Sequence, residues 1–363
     1  MKPSILKGMA ESSKLLIFNI ETDSESKVLS ANIDMIAELS KYFTSVEVYS
    51  TYVGNFSLPK NVNIIATGGG SLNGKIVAGT RLLFLGLKIL TLRRPPSVLF
   101  HMNIKAAAIL APILKVRRIQ TTLWYSHASS TLLLRWCNFW INNIVTTSKT
   151  AYPLKHPRIV SIGQAVDSAK FPYSFANKVE LSKATSFLHI GRITSVKYIE
   201  DLVLALEKLR LPNTKLVLIG DASNGKDKAY LENLATLCVQ ANIKLECRGT
   251  VKREELHKHL AQADFCFSGT KKAIDKSAIE AAFCGTLVVS TNGDLLNLLG
   301  LNAIYESAIS QQTPSLEIQI SFLSTQNNKS LGEIRSKVRQ SAIENCDIKT
   351  QIAAIVTTLK SIQ

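Results

Sequence analysis

The residues of this sequence whose types and spacing could do chemistry lie in two short segments of its second half. The first segment is HIGRITSVKYIEDLVLAL, 189–206. Gly191 allows a tight turn, and Arg192 and Lys197 flank the start of a predicted helix for which Ser195 is a candidate cap. Two cations beside a helix N-terminus form an anion site that suits a phosphate or diphosphate. The same two side chains could instead be solvated surface charges, and this segment alone leaves both interpretations open.

The second segment is SGTKKAIDKSAIEAAFCGTLVVST, 268–291. A strand is predicted to end near Ser268, and a helix is predicted to begin near Asp275 and end at Cys284. Glu280 then lies one or two turns into this helix, where its carboxylate can accept hydrogen bonds from vicinal hydroxyls such as those of a ribose. A first-turn glutamate that offsets the helix dipole is the alternative, which the segment taken alone favours.

The elements predicted around these segments describe two α/β domains. Short β-branched runs alternate with amphipathic stretches, which predicts parallel sheets covered by helices on both faces. A break at 171–185 separates two such series, and a last helix is predicted over about 348–362. The predicted strands are 15–20, 46–50, 63–67, 97–102, 121–126, 143–148, 158–163, 186–191, 215–220, 244–249, 263–268, 286–291 and 302–307. Doubly wound sheets bind ligands beyond the carboxyl ends of their strands, where both segments begin.

The composition excludes several classes of protein. Of 363 residues, 46% are hydrophobic and 19% are charged, which excludes a disordered or low-complexity chain and suffices for two cores. None of the six cysteines is spaced as CxxC, so buried reduced thiols are expected. The N-terminus lacks a long apolar run, and the most apolar stretches are too short to span a bilayer. We therefore expect a cytoplasmic protein, with peripheral attachment to the inner face of the membrane as a further possibility.

The charge is concentrated in the first half of the chain. From Val48 to Val166 there are 14 Lys and Arg residues and no Asp or Glu. Such a field attracts an anionic partner, which could be nucleic acid, an acidic lipid surface or an anionic glycan. The stretch KIVAGTRLLFLGLKILTLRRPP, 75–96, mixes leucines with five cations and suits an anionic membrane surface, although a core helix with a solvated basic face would read the same. No nucleic-acid module is recognisable, so no nucleic-acid partner is expected.

Four motifs occur together in an order that resembles a known family. They resemble the C-terminal domain of the GT-B glycosyltransferases of the group 1 family, which reads GR-x(4)-KG, a strand ending in GDG, an F-x-G-x-V-x(3)-E-L turn and an E-x(7)-E segment. In this sequence the motifs are GRITSVK (191–197), LVLIGDA (216–222), CRGTVKREELHKHLAQADFCFSGT (247–270) and DKSAIEAAFCGTLVVST (275–291). The resemblance extends more weakly into the first half, for example through LWYSH (123–127).

The resemblance implies the GT-B architecture, in which two doubly wound Rossmann-like domains face each other across a cleft. Residues 1–172 would bind the acceptor, residues 173–345 would bind the nucleotide-sugar, and a C-terminal helix of about 346–363 would pack back on the first domain. The implied reaction is retaining transfer of a hexose-type sugar from a nucleotide-diphosphate sugar to a glycan or lipid-linked saccharide, without a metal or other cofactor. Surface polysaccharide or glycolipid biosynthesis is the expected setting.

The family motifs also imply roles for individual residues. Arg192 and Lys197 would stabilise the departing diphosphate, and His127 would lie near the donor sugar; these three are the expected catalytic residues. A histidine at a strand end that bonds locally is the alternative for His127. Glu280 would hold the ribose, and backbone amides near 273–277 would hold the sugar or phosphate. The expected nucleotide-sugar site comprises Gly191, Arg192, Lys197, Ser268, Lys272, Ile274, Asp275, Lys276, Ser277 and Glu280.

Some positions depart from the family pattern. Lys272 stands where the family has the first glutamate of E-x(7)-E. Tyr198 stands where the family has the glycine of GR-x(4)-KG, directly after Lys197. The segment ETDSESK (21–27) stands where the family has a glycine-rich loop. A lysine at 272 removes a carboxylate from the sugar site, so either recognition differs or activity is weakened, and the cation could instead bind an acidic sugar or the diphosphate. Two alternatives therefore stay open: a GT-B-like binding or regulatory subunit without turnover, and a nucleotide-sugar epimerase.

Two further motifs have simpler interpretations. GGSLNGKI (69–76) nearly matches a P-loop, but Ile76 replaces the Ser or Thr that would hold Mg²⁺, so a glycine loop is expected. Glu21, Asp23 and Glu25 alternate after the first predicted strand. We expect these carboxylates to belong to a solvated or helix-capping loop rather than to a metal site.

Overall fold

A computed structural model of the protein describes residues 13–26, 29, 31–68, 72–127, 129–174, 185–306 and 314–360. Contacts between residues divide the chain into two compact units, each an α/β sandwich around a parallel sheet. The first unit is Met1–Ala165 with Ile348–Gln363, and the second is Val166–Asp347. None of the described helices is long and apolar enough to cross a membrane.

The described part of the first unit contains a parallel sheet with the strand order β3-β2-β1-β4-β5-β6-β7. The register pairs Leu15 of the first strand with Val46 and with Ser97 on its two sides. The strands are β1 (Lys14–Thr22), β2 (Ser45–Val53), β3 (Val62–Ala66), β4 (Ser97–His101), β5 (Thr121–Trp124), β6 (Asn143–Thr146) and β7 (Ile159–Ser161). The helices between them are α1 (Ala31–Ser40), α2 (Leu72–Thr91), α3 (Ile104–Val116) and α4 (Leu132–Trp140).

The sheet of the first unit is buried on both faces, which explains its almost continuous apolar strands. Side chains of β1 alternate between two cores: Leu15 and Ile17 pack with α1, whereas Leu16 and Phe18 pack with α2, α3 and α4. The order of the strands reverses between β1 and β4. In doubly wound sheets the crevice at such a switch point, outside the carboxyl ends of the strands, is where ligands bind.

The second unit repeats this plan with the strand order β10-β9-β8-β11-β12, so its switch point lies between β8 and β11. The register pairs Phe187 with Leu216 on one side and with Phe265 on the other. The strands are β8 (Thr185–Ile190), β9 (Thr214–Ile219), β10 (Lys244–Cys247), β11 (Phe265–Ser268) and β12 (Leu287–Ser290). The helices are α5 (Ile199–Leu209), α6 (Gly225–Gln240), α7 (Leu256–Gln262), α8 (Lys276–Cys284), α9 (Gly293–Leu298), α10 (Leu301–Glu306), α11 (Leu316–Ser324) and α12 (Asn328–Cys346).

The chain changes unit at two points, after Ala165 and after Asp347. Residues 166–172 were expected in the first domain, but Val166 and Phe171 are buried in the core of the second unit. The last helix, α13 (Ile348–Lys360), buries Ile352 and its neighbours in the core of the first unit beside α1. The last helix of the chain therefore belongs to the same compact unit as the first strand.

The α/β class with two doubly wound parallel sheets is confirmed, and the predicted strands are found except the last. The prediction of a strand at 302–307 is wrong, because residues 302–306 are helical in α10; Ser307 lies outside the described residues. A short apolar run such as NAIY suits a buried helix as well as a strand, and here it buries Tyr305. The expected glycine loop at 69–76 is helical from Leu72, and its first three residues lie outside the described residues, as do residues 175–184 of the predicted break.

Candidate functional site

The turn after β8 places Arg192 and Lys197 at the switch point of the second sheet. Gly191 adopts φ +148°, a conformation that side-chain-bearing residues rarely adopt, and its N–H donates to Ile219 O at 2.9 Å. Arg192 is exposed, while Lys197 ends a short 3-10 turn that begins at Ser195. The predicted helix therefore starts later, at Ile199, and the two cations lie in the loop that precedes it.

Lys197 is anchored by the loop that follows β11. Its Nζ lies 2.6 Å from Oδ1 of Asp275 and 3.2 Å from Oγ1 of Thr270. The other oxygen of Asp275 accepts hydrogen bonds from Ser268 Oγ at 2.9 Å and from Thr270 Oγ1 at 2.8 Å. Burial acts to raise the pKa of Asp275, but Lys197 and these hydrogen bonds outweigh it, so the pKa is lowered and the carboxylate stays ionised. The sequence did not predict this ion pair or the role of Thr270.

A buried histidine lies beneath this ion pair. His189 of β8 is about 1% exposed, and its Nδ1 lies 3.4 Å from Phe267 O of β11. Burial, and then the positive charge of Lys197, lower the pKa of His189 to about 4. The imidazole is therefore neutral near pH 7, and Lys197 and Asp275 are the ionised groups beside it. The sequence signal for this group is a histidine two residues before Gly191, and none of the motifs assigned it a role.

Glu280 lies in the middle of α8 rather than in its first turn. Its side chain is almost completely buried, and Oε1 lies 3.3 Å from a terminal nitrogen of Arg253. Burial raises the pKa of Glu280, and the charge of Arg253 opposes this shift in part. The position of Glu280 therefore does not support a first-turn residue that offsets the helix dipole. The sequence did not predict Arg253 as its partner.

The loop between β11 and α8 packs closely against the 3-10 turn. A Cβ at Gly269 would lie 2.2 Å from Lys197 O, so glycine is required for this approach. Lys271 Nζ lies 4.0 Å from the centroid of the Tyr198 ring, and Tyr198 adopts φ +49°, the left-handed conformation. Tyr198 stands at the position of the family glycine, so a side chain here accepts a conformation that glycine adopts more readily.

The other expected site residues surround this loop. Lys272 is exposed, Ile274 is buried, and Lys276 is the first residue of α8. Ser277 Oγ donates to Ile190 O at 3.0 Å, which ties the start of α8 to the end of β8. The fold thus gathers every expected nucleotide-sugar residue except Glu280 around the ends of β8 and β11, while Glu280 lies within α8.

His127 lies in the first unit, after the carboxyl end of β5. Its side chain is exposed, and its ring centroid lies 6.2 Å from that of Tyr125. The acidic loop of the same unit is held by local hydrogen bonds: Asp23 Oδ1 accepts from the backbone N–H groups of Glu25 and Asn55 at 2.9 and 3.2 Å. Within the described ranges, no group of three or more His, Cys, Asp or Glu is arranged to hold a metal ion.

Comparison with known proteins identifies a family domain in the second unit. Residues 174–297 match the family model described as "Glycosyl transferases group 1". This chain has the GT-B fold, and its second unit contains a group 1 glycosyltransferase domain. The predicted family is thereby confirmed, on a segment that contains the turn after β8, the ion pair of Lys197 and Asp275, and Glu280.

Solved structures of similar fold cover almost the whole glycosyltransferase chain. HepE (Alr3699) from Anabaena, solved in complex with UDP and glucose, is 15% identical, with a TM-score of 0.69 over 96% of this chain and 100% of its own. A glycosyltransferase from Rickettsia africae is 16% identical, with a TM-score of 0.70 over 97% and 99%. Sucrose-phosphate synthase from Thermosynechococcus elongatus is 13% identical, with a TM-score of 0.68 over 96% and 99%. At these identities the likeness shows the fold alone, and the sequence has no significant match among curated proteins.

Proposed function

We propose that this glycosyltransferase moves a sugar, with retention of anomeric configuration, from a nucleotide-diphosphate sugar to a glycan or lipid-linked saccharide. The observation that carries the donor assignment is the anchored Lys197 at the switch point of the second sheet. Asp275 and Thr270 account for two of the three N–H donors of its ammonium group. The third donor remains for a phosphate oxygen, and the geometry of the ammonium is set before any ligand binds.

In the proposed reaction, negative charge develops on the leaving diphosphate. Lys197 and Arg192 stabilise that charge, so that no metal ion is required, and Lys272 and Lys276 add positive charge around the same loop. Glu280 accepts hydrogen bonds from the ribose hydroxyls, and His127 contacts the donor sugar. The acceptor hydroxyl attacks from the face that the diphosphate leaves, which retains the configuration. Because HepE is known in complex with UDP, UDP and UDP-sugars are the first donors to test.

The proposed acceptor follows from the basic first unit. The outward side of α2 exposes Ile76, Leu83, Phe84 and Leu87, while Leu82 on its inward side is buried. Exposed apolar side chains at this spacing, flanked by the exposed cations Arg81 and Lys88, form an amphipathic surface that suits an anionic membrane. We therefore propose peripheral attachment to an anionic membrane and a role in surface polysaccharide or glycolipid synthesis.

The experiment that tests the donor assignment is thermal unfolding of the full chain with UDP, GDP, ADP, CMP and their sugars. A ligand at about 100 times its Kd is expected to stabilise the fold by roughly 2.7 kcal/mol. The Lys197→Ala variant should lose this stabilisation. The matched control is Lys208→Ala, because Lys208 forms an exposed ion pair with Glu317 in the same unit. No stabilisation by any nucleotide would overturn the donor assignment.

Product analysis then separates the remaining functions. Incubation with the stabilising nucleotide-sugar and a membrane extract should give an acceptor-dependent product, whose anomeric configuration is read by NMR. Conversion of the donor without an acceptor would identify an epimerase instead. Binding without any turnover would identify a regulatory subunit, and inversion of configuration would overturn retention.

A further inference from the structure

The first unit contains a cavity of about 550 Å³ at the carboxyl ends of its strands. Phe18 and Ile20 of β1, Tyr49 of β2 and Met102 after β4 line its inner side. It therefore lies at the point where the strand order of the first sheet reverses, where doubly wound sheets bind ligands. The volume is in the range of ordinary small-ligand sites. Neither the motifs nor the proposed donor site uses this cavity.

The helices that cover the cavity present small and apolar side chains to it. Ala78, Gly79 and Leu82 line it from α2, and Ala108 and Ile109 line it from α3. The ring of Phe18 stacks on that of Tyr49 with centroids 5.1 Å apart, which gives the inner side a flat aromatic surface. Such a lining favours an apolar ligand that is taken out of water.

Three of the five uncharged polar side chains at the cavity are engaged by the protein itself. The hydroxyl of Tyr49 donates to Glu47 at 2.9 Å, and the hydroxyl of Thr67 donates to Ser50 O at 3.1 Å. The amide of Asn103 donates to Asn19 O at 3.1 Å, while its oxygen caps α3. A sugar or nucleotide bound here would bury hydroxyl groups against apolar side chains with few partners, which is costly.

The charge at the rim of the cavity indicates which group the solvent-facing end of the ligand carries. Among the described lining residues, the charged one is Lys105, whose side chain is exposed at the start of α3. The stretch from Val48 to Val166, which supplies every lining residue except Phe18 and Ile20, contains no Asp or Glu, so that side of the rim favours an anion. The other side of α2 carries the exposed apolar residues Leu83, Phe84 and Leu87, so the cavity lies one helix away from the proposed membrane surface.

We propose that this cavity binds the aliphatic chain of a lipid-linked acceptor, with the phosphate of the lipid paired to Lys105. This inference rests on the proposed glycosyl transfer, because it names the class of acceptor. The chain fills the space between α2 and the sheet, and the anionic head stays at the rim. The saccharide then lies outside the cavity, which leaves its hydroxyl groups solvated and accessible.

Gly79 allows the cavity to be filled without damage to the fold. A Cβ at Gly79 meets no atom within 4 Å, and leucine is a better helix former than glycine. The variant Gly79→Leu should therefore occupy the space of the lipid chain. Gly225→Leu is the matched control, because Gly225 begins α6 in the second unit and a Cβ there also meets no atom within 4 Å.

The test is calorimetric titration of the full chain with alkyl phosphates below their micelle concentrations. Affinity should rise with chain length from butyl to dodecyl phosphate, by about fourfold per buried methylene at first. Gly79→Leu should weaken dodecyl phosphate binding at least tenfold, Lys105→Gln should weaken it several-fold, and Gly225→Leu should leave it unchanged. Phe84→Ser should also leave it unchanged, because Phe84 lies on the outward side of α2.

Specific results would overturn the proposal. Equal binding of inorganic phosphate and dodecyl phosphate would show a phosphate site without a chain site. Loss of binding in Phe84→Ser but not in Gly79→Leu would place the alkyl chain on the outer surface. Stabilisation by UDP is measured in parallel for wild type and for Gly79→Leu. If UDP fails to stabilise wild type while dodecyl phosphate binds to it, the donor assignment fails and the lipid site stands.

Discussion

Lys197 Nζ lies 2.6 Å from Oδ1 of Asp275, and this ion pair joins the loops that follow β8 and β11 across the switch point of the second sheet. The two side chains are only 16% and 13% exposed. Ser268 and Thr270 bond the other oxygen of Asp275, so the carboxylate is fixed from both sides. The ammonium group is therefore held in place before a ligand arrives, which avoids the cost of ordering it on binding.

Asp275→Asn should destabilise the second unit. The substitution keeps the size of the side chain but leaves the charge of Lys197 without its partner. Breaking a fully buried ion pair lowers the free energy of unfolding by about 3–5 kcal/mol. The loss should be smaller here, because both side chains keep some exposure. Urea unfolding measures the loss. Glu317→Gln is the control, since it breaks the exposed pair with Lys208 and should cost less than about 1 kcal/mol. Equal losses in the two variants would contradict the anchoring role of Asp275.

The buried His189 should make stability depend on pH below neutrality. Burial lowers its pKa to about 4 in the folded protein, so the unfolded chain binds a proton at a higher pH than the folded chain does. The contribution of neutral His189 to the free energy of unfolding is complete above about pH 6.5. It is lost as the pH falls from about 6.5 to 4, by roughly 3 kcal/mol at most.

Urea unfolding of wild type and His189→Gln between pH 8 and 4 measures this loss. The difference in the free energy of unfolding between the two proteins at pH 8 reports packing, because the histidine is neutral there in both the folded and the unfolded state. The change of that difference on acidification reports the titration. A difference that stays constant from pH 8 to pH 4 would show that His189 does not carry the effect.

Glu280→Gln should separate ribose recognition from stability. Hydrogen bonds to a charged group are worth about 1.5–3 kcal/mol, so the affinity for UDP should fall roughly tenfold or more, while the affinity for 2′,3′-dideoxy-UDP should hardly change. Titration calorimetry with both nucleotides gives, for each, the ratio of the wild-type affinity to that of the variant. Glu254→Gln, an exposed residue beside Arg253, should alter neither affinity. Equal losses for both nucleotides would argue against contact with the ribose.

The same variant should be more stable than wild type at pH 7. Burial raises the pKa of Glu280 in the folded protein, so the folded state is penalised as the pH rises from about 4.5, the ordinary value, through the raised pKa. Glutamine removes this penalty and keeps a group that can bond to Arg253. The advantage should shrink toward pH 4, which unfolding at several pH values measures; an advantage that is independent of pH would contradict the cause.

Phe84→Ser should weaken attachment to anionic vesicles. Phe84 is 73% exposed on α2, and burying a phenylalanine side chain is worth about 1.5–3 kcal/mol, so the partition coefficient should fall roughly tenfold or more. Sedimentation with phosphatidylglycerol vesicles measures it, and 0.5 M salt should weaken binding of wild type as well. Val239→Ser is the matched control, because Val239 is 80% exposed in the second unit. Equal binding to phosphatidylcholine vesicles would contradict the charge argument.

Much of the fold could be predicted from the sequence, because its signals are local. Apolar β-branched runs between turn residues marked the strands through to Leu287–Ser290, and alternation with helices required parallel sheets. The exception, the strand predicted at 302–307, fails because a short apolar run fits a buried helix equally well. Motif spacing alone also indicated that Lys197 follows a strand and that Glu280 lies one or two turns into the helix after the next motif's strand.

What the tertiary structure decided is which side chains meet. Lys197 and Asp275 are 78 residues apart, His189 and Phe267 are also 78 apart, and Arg253 and Glu280 are 27 apart. The first two contacts depend on β8 lying beside β11, which follows from the order of strands and not from any local pattern. The sequence by itself determined the elements and the residue types at their ends. Packing of the elements determined the partners, the burial and hence the pKa values, because those depend on contacts between segments that are distant along the chain.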